Sequence, residues 1–490
     1  MAIDSDGGGG AKRRRAEERR DLCEEAAGEE IPADRISALP DELRQRVLTH
    51  LPLKDAIRTA ALAGVWRDLW KSRWSHRSSV DIHLRTRDVP QRELDALERE
   101  PRPRRRLDRF SLIVETCKLK SSDLRRFLDY AADCGVEDLH VETRKSSAAD
   151  KLNFHLPLSS PLLARLSLRR ISISNLYYRG AQPFQALEVV LLHSVNIDVT
   201  AFRKMMRLCP HLRILDLRDC DCDCLFYHGI DIPPPVNLTS VTVAKCDGDI
   251  RLDAVAVPRL RSFRYSGDFP DKSFFLPSDT ELTDLYICIG YSMLEFRYPC
   301  TDEFNKALSD DLSGLTVLTI CSNTLQVAAT AQWAKLCNLQ SLRELQLVMF
   351  GRKAANLANI YMFLKSCHCP NLEKFFVQLP ASSYEPKESS LDEVGEESPE
   401  HGLDNLKMVK VMNFNWRRFE VQLVSFLFRK CSSVHKLLLV SPNVAPLYVP
   451  GIHEADVLLL QEALANGKII LSESDDPTTQ PFHSEVFLEV

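Results

Sequence analysis

The chemistry-bearing residues that draw the eye are Cys220, Asp221, Cys222, Asp223 and Cys224, followed at a short distance by His228. Alternating thiols on a strand would share one face and could offer thiolates to a metal. Tetrahedral zinc sites, however, usually draw on C-x₂₋₄-C pairs, and this spacing is C-x-C. The sequence holds no nucleophile elbow, Walker loop, HExxH or paired CxxC. Intrinsic catalysis and a resident cofactor are therefore not expected. Two short basic runs, Lys12 to Arg15 and Arg102 to Arg106, could serve nuclear import or nucleic-acid contact. The net charge of -5 over 490 residues does not favour a nucleic-acid or membrane partner for the whole chain.

The cysteines are better understood from the elements that carry them. A template Leu-x-x-Leu-x-Leu, other apolar residues allowed, recurs along the chain. It stands at Leu163-Leu166-Leu168, Leu187-Val190-Leu192, Leu212-Leu215-Leu217, Leu238-Val241-Val243, Leu260-Phe263-Tyr265 and Leu282-Leu285-Ile287. It continues at Leu315-Leu318-Ile320, Leu342-Leu345-Leu347, Leu372-Phe375-Val377, Leu406-Val409-Val411 and Val434-Leu437-Leu439. Weaker copies precede these at Leu107-Phe110-Leu112 and Val136-Leu139-Val141. First positions lie 22 to 34 residues apart. Each copy makes a short strand with one buried face, and stacked copies build a continuous parallel sheet. Segments such as those ending at Pro210 and Pro370 look like short helices between strands. The spacing resembles leucine-rich repeats, whose longer pattern has Asn or Cys three residues after the last apolar position. Cys220, Cys246 and Asn323 fill that slot, where a small side chain can bond backbone groups left free at the turn. A structural thiol thus stands beside the metal and redox readings.

The residue between the last two apolar positions of each copy should point to the concave face of such a solenoid. Asp216, Arg264, Tyr286, Gln346, Phe376 and Lys410 occupy that position and are the candidate target contacts. They mix charge, polarity and aromatics with no single-sign stripe, which suits a protein or small-molecule partner better than nucleic acid. Each, taken singly, reads better as solvated surface than as a contact.

A second cluster lies near the N-terminus. Leu43, Val47, Leu48 and Leu51 fall on one helical stripe. After Pro52 a second helical stretch starts at Lys54-Asp55 with Ile57, Ala61 and Leu62 apolar, and Val65, Trp66, Leu69 and Trp70 form another stripe. A segment this small has a marginal core, so an exposed apolar patch with tryptophan anchors points to a protein interface.

The stretch from Ala33 to Trp70 resembles the F-box of plant F-box proteins, in its Asp34-to-Leu43 opening, its Leu51-to-Thr59 centre and its Trp66-to-Trp70 close. The resemblance implies a three-helix module binding the Skp adaptor and, through it, the cullin and RING subunits of a ubiquitin ligase. It carries Leu39, Pro40, Leu43, Val47, Leu48, Leu51, Pro52, Ile57, Trp66, Leu69 and Trp70 as interface or module-core residues. Ala63-Gly64-Val65 departs from the family's Ser-Lys-Arg, and glycine inside a helix costs about 1 kcal/mol against alanine. Residues 403–445 resemble the FBD module that often closes plant F-box/leucine-rich-repeat chains. Asn415-Trp416-Arg417-Arg418 stands there where a glycine-containing turn is common.

The expected fold class is α/β: a short three-helix F-box, then a leucine-rich-repeat solenoid ending in an FBD-like region. The expected organisation is a disordered Gly-rich, mixed-charge N-terminus at 1–33, the F-box at 34–80, a charged linker at 81–106 and the solenoid at 107–380. An acidic loop at 381–402, with seven carboxylates against one lysine, FBD-like repeats at 403–445 and a tail at 446–490 complete it. With no apolar run suited to a signal peptide or membrane span, nucleus or cytoplasm is the expected location, and the fifteen cysteines are expected to be reduced. The expected role is recruitment of an unidentified target protein to the ligase. A non-degradative repeat scaffold is the alternative.

Overall fold

In the computed structural model the described residues are principally 39–51, 53–59, 66–71, 78–101, 104–144, 160–173, 183–221, 237–246, 259–267, 281–290, 311–330, 336–351, 354–381, 405–430, 436–441 and 454–487. They fall into two compact units, 1–77 and 78–490.

In the first unit, α1 (Asp41–His50) follows Pro40, with Asp41 and Glu42 in its first turn and His50 in its last. Both charge placements suit the helix dipole. It stops at Leu51, which is extended (φ -90°, ψ 147°), as the residue before a proline is disposed to be. Next comes α2 (Leu53–Arg58), then helical turns over 66–71. Pro52 and Gly64 lie outside the described residues.

The second unit is organised by one fifteen-stranded parallel sheet whose strands follow in chain order. They are β1 (Ser79–Leu84), β2 (Arg109–Val114), β3 (Asp138–Thr143), β4 (Arg165–Arg169), β5 (Val189–His193), β6 (Ile214–Arg218), β7 (Ser240–Ala244) and β8 (Ser262–Gly267). After them come β9 (Asp284–Ile289), β10 (Val317–Cys321), β11 (Glu344–Val348), β12 (Lys374–Gln378), β13 (Met408–Met412), β14 (Lys436–Val440) and β15 (Ile469–Ser472). Every one of the thirteen repeat copies lies on a strand, β2 through β14. The register is constant, so Leu215, Val241, Phe263, Leu285 and Leu318 stand side by side. These residues line a single apolar core with the helices, among them α3 (Pro90–Glu98), α4 (Ser121–Asp133), α5 (Val199–Leu208) and α6 (Ser322–Thr330). Further along, α7 (Ala354–Ser366), α8 (Arg418–Lys430) and α9 (Glu454–Ala465) line the same core. The second unit has the leucine-rich-repeat arrangement that the sequence pattern implies.

Two boundaries differ from expectation. Residues 81–106 are not simply a linker, because β1 and α3 fall there and β1 pairs with β2 along its full length. Residues 446–490 are not merely a tail, because α9 and β15 add a last helix–strand unit. Residues 1–33 and 382–402 lie outside the described residues.

Several strands turn off the sheet through a residue in the left-handed region: Arg170, Ser194, Asp219, Lys245 and Asn413, with φ between 51° and 60°. Stacking supports that conformation. Arg170 N–H donates to His193 O, Ser194 N–H to Arg218 O, Asp219 N–H to Ala244 O and Lys245 N–H to Ser266 O. The Asn/Cys slot works beside these turns: Cys220 Sγ–H donates to Leu192 O (3.2 Å) and Asn323 Nδ2–H to Ile289 O (3.0 Å).

Candidate binding surfaces

Packing divides the apolar residues of the first unit. Leu48, Ile57, Trp66 and Trp70 are buried together with Leu53 and Ala56. Leu39, Leu51 and Leu69 are partly covered, and Pro40 is exposed. By contrast Leu43 (46% exposed) and Val47 (43%) sit one turn apart on α1 and face outward. Ile36 is more open still, at 58%. Helical periodicity placed Leu43, Val47 and Leu48 on one stripe. The structure splits that stripe at its edge, with Leu48 turned into the module. The tryptophans, expected as anchors or core, are core here.

In the second unit the candidate target residues form a row across the sheet. Asp216 neighbours Thr242, Arg264 neighbours Tyr286, and Gln346, Phe376 and Lys410 are adjacent in register. They lie on the face away from the helix-lined core, where Tyr286, Cys288, Cys321 and Val348 form their own apolar cluster. Of the six, Asp216, Tyr286, Gln346, Phe376 and Lys410 are buried, and Arg264 alone is half-open. Solvated surface is thus the wrong description for five of them.

The chain itself provides much of the cover. After β15 it crosses back over the open face of the sheet. Lys410 Nζ donates to Thr479 O (2.9 Å) and Oγ1 (3.0 Å) and pairs with Asp475. Glu344 Oε1 accepts from Phe482 N–H (2.5 Å). The His483 ring sits between Thr319 Oγ1 (2.8 Å) and Asp284 Oδ1 (3.3 Å). Glu485 meets Arg218 (2.9 Å), and Phe487 N–H donates to Tyr286 Oη (3.3 Å). The Phe487 ring lies edge-on to Tyr286, centroids 5.1 Å apart, beneath the Arg218 guanidinium. None of this was legible in the sequence, since residues 473–487 carry no periodicity.

Burial and partners set the electrostatics. Burial raises Asp216, but hydrogen bonds from His193 and Arg218 outweigh it and hold the carboxyl below its usual range. Burial lifts Glu344 above the usual range. Farther toward β1, burial and the Arg109 guanidinium press His140 down to about 4, and its Nδ1 lies 3.1 Å from Ser167 Oγ. Burial also opposes ionisation of Cys321, yet hydrogen bonds from Cys288 and Thr324 bring it to about 7.

The other chemistry resolves simply. No group of three or more metal-ligating residues exists among the described residues, and Cys222, Cys224 and His228 lie outside them. In the second basic run Arg104 donates to Leu97 O and lies 4.4 Å over the Tyr130 ring, while Arg106 pairs with Glu137. Two arginines of that run are therefore engaged within the fold. Among the described residues no helix is long and apolar enough to cross a membrane.

Comparison with known proteins agrees with both units. The leucine-rich-repeat domain described as At1g61320/AtMIF1 matches residues 106–446, and the F-box domain matches residues 36–78. The repeat match runs through the stretch likened to FBD. Over 469 residues, 88% of this chain and 95% of the relative, the sequence is 23% identical to a putative F-box/LRR-repeat protein of Arabidopsis thaliana, At5g54820. It is 25% identical over 429 residues to the F-box/FBD/LRR-repeat protein At1g78750 of the same plant, covering 83% of this chain and 89% of the relative. F-box/LRR-repeat protein 13 of that species is 25% identical over 465 residues, 88% and 93% of the two chains.

Proposed function

The chain belongs to the leucine-rich-repeat family of At1g61320/AtMIF1 and carries an F-box ahead of its repeats, and from that premise we propose that it recruits substrates to a Skp–cullin–F-box ubiquitin ligase. The observation that carries the reading is the outward pair Leu43 and Val47 on a helix whose other apolar residue, Leu48, is buried. An apolar patch left open on a small module that has already buried Trp66 and Trp70 is what an adaptor would cover. Ile36 and Pro40 extend it. Cullin and RING subunits would follow through the adaptor, and the open face of the sheet would hold the target. The chain would act by proximity, raising the effective concentration of target lysines near a conjugating enzyme, with no reacting group of its own.

A non-degradative scaffold would use the same adaptor contact and differ in the fate of what it binds. Proteins retained by the intact chain are expected to turn over more slowly when Leu43→Asp/Val47→Asp replaces it. Equal lifetimes with both forms would favour the scaffold.

A further inference from the structure

The surface beneath the C-terminal crossing differs in kind from the rest of the core. On the helix side the strands present mainly aliphatic and aromatic groups to the shared core, with Thr143 a buried exception. On the open face Asp284, Thr319, Glu344, Gln346 and Lys410 are all buried. Four of these five have a partner within residues 475–483. Water could serve every one of those partners' roles, because lifting the tail would return the groups to solvent instead of stranding them. Lifting a helix would expose a largely apolar wall.

The tail is also held as a ligand would be. It adds no strand to the sheet over residues 473–487. Instead it uses separated anchors: Asp475 at Lys410, His483 between Asp284 and Thr319, Glu485 at Arg218, and Phe487 in the Tyr286–Cys288–Cys321–Val348 cluster. Glu485 remains 58% exposed while making its contact. Apart from one 3₁₀ turn at Pro477–Thr479 the backbone between these anchors forms no helix or strand, and side-chain pockets at intervals along such a backbone are how grooves read peptide sequences.

We propose that the face from β6 to β13 is a peptide-docking groove and that residues 475–487 are its built-in occupant, so that the target is an extended segment with the same chemistry: an acidic side chain two residues before a large aromatic, and a hydrogen-bonding ring or amide two residues before that acid. This rests on the reading that the repeats hold the target. The tethered tail competes at an effective concentration in the millimolar range. A target segment must therefore displace it, and its apparent affinity is lowered by the fraction of chains whose groove is closed. Recognition would be selective for segments that match several anchors at once.

The test uses a fluorescent peptide of residues 473–490 and the full chain, intact and as His483→Ala/Phe487→Ala. The substituted tail should vacate the groove, and the variant should bind the peptide at least tenfold more tightly than the intact chain. A peptide lacking the residue-487 aromatic should not compete. Hydrogen exchange on the intact chain gives a readout independent of the variant's folding. Amides of 478–487 should exchange at least a hundredfold faster than those of β9 to β11. Protection of the tail equal to those strands would overturn the proposal and make the tail a fixed part of the fold, as would a well-folded variant that binds no peptide. The adaptor plays no part in either measurement. Failure of the groove would leave the F-box reading standing, and loss of adaptor binding would leave the groove standing.

Discussion

Lys410 gives the most demanding check on how the tail is held. Its ammonium is fully buried, donates twice to Thr479 and pairs with Asp475, whose side chain is 35% exposed. Hydrogen bonds from a charged donor contribute about 1.5–3 kcal/mol each. Removing one partner of a fully buried pair costs about 3–5 kcal/mol. Asp475 can turn to water once its partner is gone, which lowers the cost, and burying the ammonium has already consumed part of the gain. Lys410→Ala should therefore weaken tail closure by about 2 kcal/mol, which speeds exchange through local opening by roughly thirtyfold. Mass-spectrometric hydrogen exchange over 475–487 measures it, with Lys410→Met retaining the stem and losing the charge. Both variants should speed exchange in the tail and leave β9 to β11 within about threefold. Unchanged tail exchange in Lys410→Met would refute the assignment of the ammonium as an anchor, and equal acceleration across the strands would show a general loss of core stability.

Other outcomes follow from particular contacts. Trp70→Ala should destabilise the first unit by about 3–5 kcal/mol through cavity formation, read as a lowered unfolding midpoint, whereas Leu43→Asp should move that midpoint little because the side chain is already half in water. Trp416 adopts φ 60° while buried against Phe414. Trp416→Gly would relieve about 1 kcal/mol of backbone strain but lose about 3–5 kcal/mol of packing, so denaturant titration should show a net loss of at least 2 kcal/mol. His140, held near 4, stays neutral in the folded chain where an unfolded imidazole would take a proton. Stability should consequently fall as pH drops from about 6.5 to 4, and His140→Gln should flatten that slope in thermal melts.

The repeats were legible because each copy repeats the same packing problem. The leading leucine, two residues before the strand, and the two alternating apolar residues all enter one core. The two strands that escaped notice, β1 and β15, are those at the sheet's ends. Three residues before Val80 and Ile469, where the other copies place their leading apolar residue, the sequence has Arg77 and Asn466, polar residues suited to a terminal unit with a neighbour on one side only. The glycine-like turn at Trp416 was visible as a departure from pattern. Its cause was not: Glu420, fully buried, accepts from the N–H groups of Asn415 and Arg417 and fixes the turn. On α1, periodicity grouped Leu43, Val47 and Leu48 without saying which the module would cover. The tail was illegible altogether, because its contacts join residues 65 to 269 apart with no local pattern to mark them.

Adaptor recruitment turns on the outward face of α1, and one binding isotherm tests it most directly. A Skp-type adaptor would be titrated into the full chain and into Leu43→Asp/Val47→Asp, with circular dichroism verifying both folds. Docking would bury the remaining half of each side chain, about 1 kcal/mol apiece, and the introduced carboxylates would add a desolvation cost of similar or larger size. Saturable binding by the intact chain and at least a thirtyfold weaker association for the folded variant are expected. Equal affinity for both, or no binding by the intact chain, would contradict adaptor recruitment through that face.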